Sequence, residues 1–192
     1  MAIKAEQARL QSSEFGYFDV WKAAIEERTG VQITPDRERA LGLLLNRRMA
    51  ELNLLDVDEY LNQALDVTRG AEEWSGLVDS LLVKETSFFR HPPSFDYVAQ
   101  WVKETVSDKG FVGPLWLWSL GCSTGEEAYS LAITVDRAMR EAGREPRFGI
   151  IGTDISHEAI SQARRGIYRA AKMNAVDQST NEDYFDQVGK QL

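Results

Sequence analysis

One cysteine, Cys122, and two histidines, His91 and His157, stand in 192 residues. A lone cysteine excludes an internal disulfide, and two separated histidines offer no metal-ligand cluster, so no metal is expected and the setting reads as reducing and cytoplasmic. Lysine and arginine never form a run, and a formal net charge of −8 opposes a polyanionic partner, which argues against nucleic acid. No apolar stretch approaches the roughly 20 residues that span a bilayer, and "MAIKAEQARL" lacks the apolar core of a signal peptide, so no membrane insertion is expected. What remains is ordinary globular composition, 43% hydrophobic and 27% charged, long enough to bury a sizeable core in one or two domains.

The first ninety residues carry helical periodicity and no alternation of the strand kind. Phe18, Trp21, Ala24, Ile25 and Arg28 line one face of a helix that Gly30 closes. Thr34 then reads as an N-cap before Pro35, and Leu41, Leu44, Leu45, Met49 and Leu52 form the next stripe. A short helix around Tyr60, Leu61, Ala64 and Leu65 precedes a longer one through Trp74, Leu77, Val78, Leu81 and Leu82. These segments predict a small helical bundle.

"KETSFFRHPPS" breaks the pattern, since the tandem Pro92 and Pro93 push His91 out of helical geometry and pre-set the next helix. The domain connection is placed here, with 1–85 helical and 86–192 of another kind. Beyond "SDKGFVGP" the register changes to strand, glycine turn, helix and strand: "LWLWSL", "GCSTG", "EEAYSLAITVDRAMREAG" and "RFGIIGTDIS". That is a βαβ unit, with strands apolar enough for burial in a parallel sheet. Ser156 caps a further helix ended by Gly166, and the last twenty residues show weak periodicity and no strand.

The turn raises a question of ligand. Gly121 and Gly125 would allow close backbone approach at the carboxyl edge of a parallel sheet, where dinucleotide binders seat a pyrophosphate on the helix N-terminus. Glu126 and Glu127 would repel a phosphate there. They suit a ligand that brings a cation, and S-adenosylmethionine carries both an amine and a sulfonium. Asp154, at the end of the second strand, stands where an acidic side chain commonly accepts hydrogen bonds from ribose hydroxyls. The alternative is structural: both glutamates complement the helix dipole, and Asp154 caps a turn.

"ETSFFR", "LWSLGCSTGEEAYSLA" and "GTDIS" followed by "ARRGIY" together resemble the CheR family of chemotaxis receptor methyltransferases, over roughly residues 15 to 170. The type IV pilus chemotaxis-like branch is compatible with these motifs, which do not select it. The resemblance implies an N-terminal all-α helical bundle followed by a partial α/β Rossmann-like S-adenosylmethionine-dependent methyltransferase domain. It implies methyl transfer to glutamate side chains on the cytoplasmic domain of a chemoreceptor, with S-adenosylhomocysteine as product. By the same resemblance Thr86 and Arg90 reach the cofactor, and Arg90 offers its planar fork to the cofactor carboxylate or the acceptor glutamate. Glu126 or Glu127 holds the amine, and Asp154 holds the ribose. An acceptor glutamate is already ionised at neutral pH, so no general base is required.

Two departures from the family pattern bear on these expectations. Lys84 stands where the family usually has asparagine, which adds a cation at the border of the site. The family also continues well beyond this length, so the chain is expected to be a C-terminally truncated portion, weakly active or inactive. An exposed sheet edge in such a domain invites pairing with a second copy. Arg39, Arg47 and Arg48 give a local charge of +3 with no acidic residue between positions 39 and 50; the charges alone read as a solvated face, and the resemblance makes them a receptor-docking face. The competing reading is a non-catalytic receptor-binding module that retains the fold. Phe88 and Phe89 are expected to pack between domains, and Cys122 has no partner in sequence that would make it a nucleophile.

Overall fold

A helix with apolar side chains every three to four residues needs a partner face to exclude water. In the first part of the chain α1 (18–29), α2 (Pro35–Leu52), α3 (Val57–Leu65) and α4 (Ala71–Leu81) supply one another with such faces. The computed structural model describes residues 18–66, 68, 70–82 and 85–188. It separates into two compact units, Met1–Val83 and Lys84–Leu192. The core of the first is built on Trp21, Ile25, Leu41, Leu45, Tyr60 and Leu77, all buried. Each such side chain contributes about 1.5–3 kcal/mol by leaving water. Trp21 is the hub, with its ring 4.9 Å from Tyr60 and 6.5 Å from Trp74.

The stripe expected on α2 is largely the one observed: Leu41, Leu45 and Met49 are buried, while Leu44 and Leu52 pack at its edge. Its start differs from expectation. Thr34 has the extended backbone of a cap, yet its hydroxyl makes no capping bond; its carbonyl instead accepts the amides of Arg37 and Glu38 at 2.8 and 3.1 Å. Pro35 leaves one orphan amide fewer at the helix start, and the Arg37 amide that a cap would serve is already taken by the Thr34 carbonyl.

The second unit opens with α5 (Pro92–Ser107), whose tandem prolines occupy its first turn. β1 (Leu115–Leu120), α6 (Glu126–Glu141) and β2 (Phe148–Thr153) follow, and the strands pair in parallel from Leu115 opposite Phe148 to Leu120 opposite Thr153. Val102 and Val106 of α5 and Val135, Ala138 and Met139 of α6 pack on Leu115, Leu117 and Phe148, so both helices cover one face of the sheet. α7 (His157–Arg165) comes next, capped by Ser156 Oγ, which accepts the Ala159 amide at 3.0 Å.

The strands were expected to be buried on both faces, and that holds for one face only. On the other, Trp116, Trp118 and Leu120 are 66%, 63% and 73% exposed. Continuous apolar sequence cannot distinguish one covered face from two. Two of these residues are nevertheless organised: the Trp116 ring lies across Gly149, and Trp118 Nε1 donates to Thr153 Oγ1 at 2.8 Å.

Past α7 the chain is more regular than its sequence suggested. A 3-10 turn over Ala170–Ala175 leads to α8 (Gln178–Tyr184), whose N-cap Asp177 accepts the Thr180 amide at 2.9 Å. Hydrogen bonds from Ser179 and Thr180 hold the Asp177 carboxyl well below its usual range. α8 is tied to α6 by Tyr184, which donates to Asp136 Oδ2 at 2.7 Å. Phe88 was expected between domains. It lies within the second unit, fully buried, edge-on to Tyr168 and Phe185 at 4.9 and 5.2 Å.

Candidate functional site

The carboxyl edge of β1 and β2 is closed by the glycine turn. The amides of Gly121 and Cys122 both donate to the Thr153 carbonyl, at 2.8 and 2.9 Å, which joins the ends of the two strands. Asp154 completes the joint: Oδ2 accepts the Ser123 amide and Oδ1 the Ser156 amide, each at 2.8 Å. A carboxylate oxygen has two lone pairs, so both retain capacity to accept from a ligand hydroxyl. Asp154 also lines a cavity of about 700 Å³ with Thr153, His157, Ile160, Ser161 and Arg164. That volume falls in the roughly 300–1,000 Å³ range of ligand clefts.

The two glycines serve different ends. Gly121 has φ +75°, and a Cβ built there would meet nothing within 4 Å, so the backbone is open to an approaching group. Gly125 has φ +99°, but a Cβ there would lie 2.7 Å from Tyr168 Oη and 2.9 Å from Ala163 Cβ. Ligand approach was expected at both. At Gly125 the close neighbour is the chain itself, locked by Tyr168 donating to the Thr124 carbonyl at 2.7 Å.

Glu126 and Glu127 open α6 and part at once. Glu126 is fully buried; it takes the Thr124 hydroxyl at 2.5 Å and lies 2.9 Å from Lys172 Nζ. Glu127 is exposed, and its Oε1 accepts the Ser119 hydroxyl at 2.7 Å. Both sit in the first turn, where a negative charge contributes about 0.3–1 kcal/mol against the helix dipole.

The "ETSFFR" loop is fixed against the same helix. The Phe89 amide donates to Ser130 Oγ at 3.0 Å, and the Thr86 carbonyl accepts from Lys172 at 2.7 Å. Thr86 and Glu126 therefore meet through one ammonium. Arg90 is held on its own loop, donating to the Glu85 carbonyl at 2.8 Å with its side chain 59% exposed. Lys84 lies outside the described residues. Burial pushes the Cys122 thiol up from its usual range, which suits an inert side chain.

On α2 the three arginines differ. Arg39 is exposed, and Arg47 pairs with Glu51 at 2.8 Å. Arg48 turns onto Glu73, with Nε 2.9 Å from Oε1, and also meets Glu51. Sequence reasoning overlooked Lys172 and the packing role of Tyr168. The first carries no local signal, whereas the second lies in the quoted "ARRGIY".

Residues 84–192, more than half of the chain, match the family described as "CheR methyltransferase, SAM binding domain". The chain belongs to the CheR methyltransferase family. It is 34% identical over 167 residues to the "Probable biofilm formation methyltransferase WspC" of Pseudomonas putida, covering 84% of this chain and 37% of that protein. It is 30% identical over 162 residues to the "Chemotaxis protein methyltransferase" of Salmonella typhimurium, and equally to that of Escherichia coli, covering 84% of this chain and 53% of each relative. The chain thus spans about a third to a half of these curated relatives. The cofactor of the CheR domain is S-adenosylmethionine. The residues present fit it: Asp154 keeps acceptor capacity beside a cleft, and the backbone at Gly121 is open. Among the described residues, no helix is long and apolar enough to cross a membrane.

Proposed function

We propose that this chain contributes the cofactor site of a cytoplasmic protein-glutamate O-methyltransferase that acts on the cytoplasmic domain of a chemoreceptor. The single observation that carries the reading is Asp154, which joins the glycine turn to the end of β2 and faces a cleft with acceptor capacity unspent. S-adenosylmethionine, when bound, supplies a methyl already activated on a sulfonium. The remaining work is positioning, which falls to the protein. Asp154 accepts from the ribose hydroxyls, the open backbone at Gly121 lies alongside, and Glu126 or Glu127 takes the amine. Thr86 and Arg90 belong to the same site, and Arg90 offers its fork to a carboxylate by giving up the bond to its own Glu85.

The fold reading that goes with this function is a Rossmann-like methyltransferase domain preceded by a helical bundle. Arg39 and Arg47, exposed on α2, form the proposed receptor-docking face, whereas Arg48 serves the interior of the first unit. The same docking face supports a second reading, receptor binding without turnover. Self-association is proposed at the exposed edge of the two-stranded sheet, where unpaired backbone groups can pair with a second copy.

Labelled S-adenosylmethionine and a purified chemoreceptor cytoplasmic domain test the proposal. The expected result is weak label on receptor glutamates, lost in Arg90→Ala. Receptor binding with no label would favour the second reading, and neither binding nor label would overturn both.

A further inference from the structure

Phe89 has φ +49°, in the left-handed region that a bulky side chain rarely adopts. A glycine would take this backbone without strain, yet the loop carries a phenylalanine there. Such a conformation persists only where its surroundings enforce it. Here the Phe89 amide donates to Ser130 Oγ at 3.0 Å, the Phe89 ring meets Phe95 edge-on at 5.3 Å, and the preceding Phe88 is fully buried.

Of these contacts the hydroxyl is the directional one. Ser130 lies in the second turn of α6, fully buried, and Oγ donates its proton to the Glu126 carbonyl one turn back at 2.7 Å. The oxygen is left as an acceptor with its orientation fixed by the helix, and a backbone amide is a group that fits it. The consequence is visible in the loop. Phe88 turns inward against Tyr168 and Phe185, Phe89 lines the groove between α5 and α6, and Arg90 leaves toward solvent. The loop is also tied to the turn at Asp154. Tyr168, on which Phe88 packs, donates to the Thr124 carbonyl at 2.7 Å, and the neighbouring Ser123 amide is held by Asp154.

We infer that Ser130 is a positioning residue for methyl transfer: its hydroxyl holds Phe89 in the left-handed conformation, and that turn sets the direction in which Arg90 leaves the loop toward its carboxylate. This rests on the role given to Arg90 above. Ser130 has no exposed surface, so it acts through the loop and not on a ligand.

Two readouts on the full 192-residue chain test this, with Ser130→Ala to remove the hydroxyl and Ser130→Thr to keep one. Thermal melts establish that each variant is folded at the temperature used. If Ser130→Ala does not fold, Ser130→Cys takes its place, since a thiol is a weaker acceptor. The first readout is independent of activity: the strong amide-to-Hα cross-peak within Phe89 that a positive φ produces in NMR spectra. It is expected in the unsubstituted chain and in Ser130→Thr, and lost in Ser130→Ala, where the Phe89 amide should also exchange with solvent about tenfold faster. A Phe89 that stays left-handed in folded Ser130→Ala overturns the inference. The second readout is the rate of label transfer to the chemoreceptor cytoplasmic domain at saturating S-adenosylmethionine. Ser130→Ala should lower it about tenfold, as for a displaced catalytic group, and Ser130→Thr should recover most of it. An unchanged rate in Ser130→Ala, or an equal loss in both variants, would overturn the positioning role while leaving the methyltransferase reading intact. If the unsubstituted chain transfers no label, that reading itself falls and the role of Ser130 in transfer falls with it, whatever the spectra show of Phe89.

Discussion

The Ser123 amide donates to Asp154 Oδ2 at 2.8 Å, so the turn that follows β1 takes its shape from a carboxylate at the end of β2. This contact gives Asp154 two duties, since it also accepts the Ser156 amide ahead of α7. Removing it therefore affects stability and ligand binding separately.

Asp154→Ala is expected to lower the stability of the second unit by about 1–3 kcal/mol, through two amides left without their acceptor. S-adenosylhomocysteine binding should weaken by a further ~1–3 kcal/mol. Thermal melts and calorimetry separate the two. A ligand lacking the ribose 2′-hydroxyl should show a smaller affinity loss on mutation, and equal losses would remove the ribose from Asp154 while leaving its structural duty intact.

Gly125→Ala should be destabilising by about 1–3 kcal/mol, because the new methyl group meets Tyr168 Oη and Ala163 at a φ that alanine rarely adopts. Tyr168→Phe removes the bond to the Thr124 carbonyl and one of the two clashing atoms. Combined with Gly125→Ala, it should cost less than the sum of the single changes. Strict additivity in denaturant melts would show that Tyr168 is not what excludes a side chain at Gly125.

In the first unit, Arg48 holds the Glu73 carboxyl below its usual value of 4.5, against the opposing effect of burial, and the Tyr60 hydroxyl adds a hydrogen bond at 2.6 Å. A folded-state value below the unfolded one means stability that is full above pH ~4.5 and lost as pH falls through the lower, folded-state value. Glu73→Gln should destabilise the chain at neutral pH by about 1–3 kcal/mol and flatten the acid limb of its stability profile. An unchanged acid limb in Glu73→Gln would place the titration elsewhere.

Much of this architecture can be read locally. Pro35 and the leucines of α2, the tandem prolines of α5 and the βαβ pattern around "GCSTGEE" each act within a few residues, where spacing and backbone restriction decide the outcome. The site was legible to the extent that it is a turn and a strand end: Gly121, Glu126 and Asp154 lie at positions a parallel βαβ unit dictates. Contacts that bridge long separations were not legible. Lys172 reaches Thr86 across 86 residues, and Arg48 reaches Glu73 across 25, so no periodicity could mark either. A helix as short as α8 escapes notice for another reason, since seven residues complete scarcely two turns and Asp177 at its start looks like any loop aspartate.

The central claim is that the loop at Thr86, the glycine turn and Asp154 form one cofactor site. Backbone amide spectra of the isotopically labelled 192-residue chain, recorded through a titration with S-adenosylhomocysteine, test it most directly. The account predicts saturable shifts concentrated at Thr86, Gly121, Ser123 and Asp154, with the amides of Leu41, Leu45 and Leu77 in the first unit unmoved. No saturable shift, or shifts confined to α2 through α4, would contradict it.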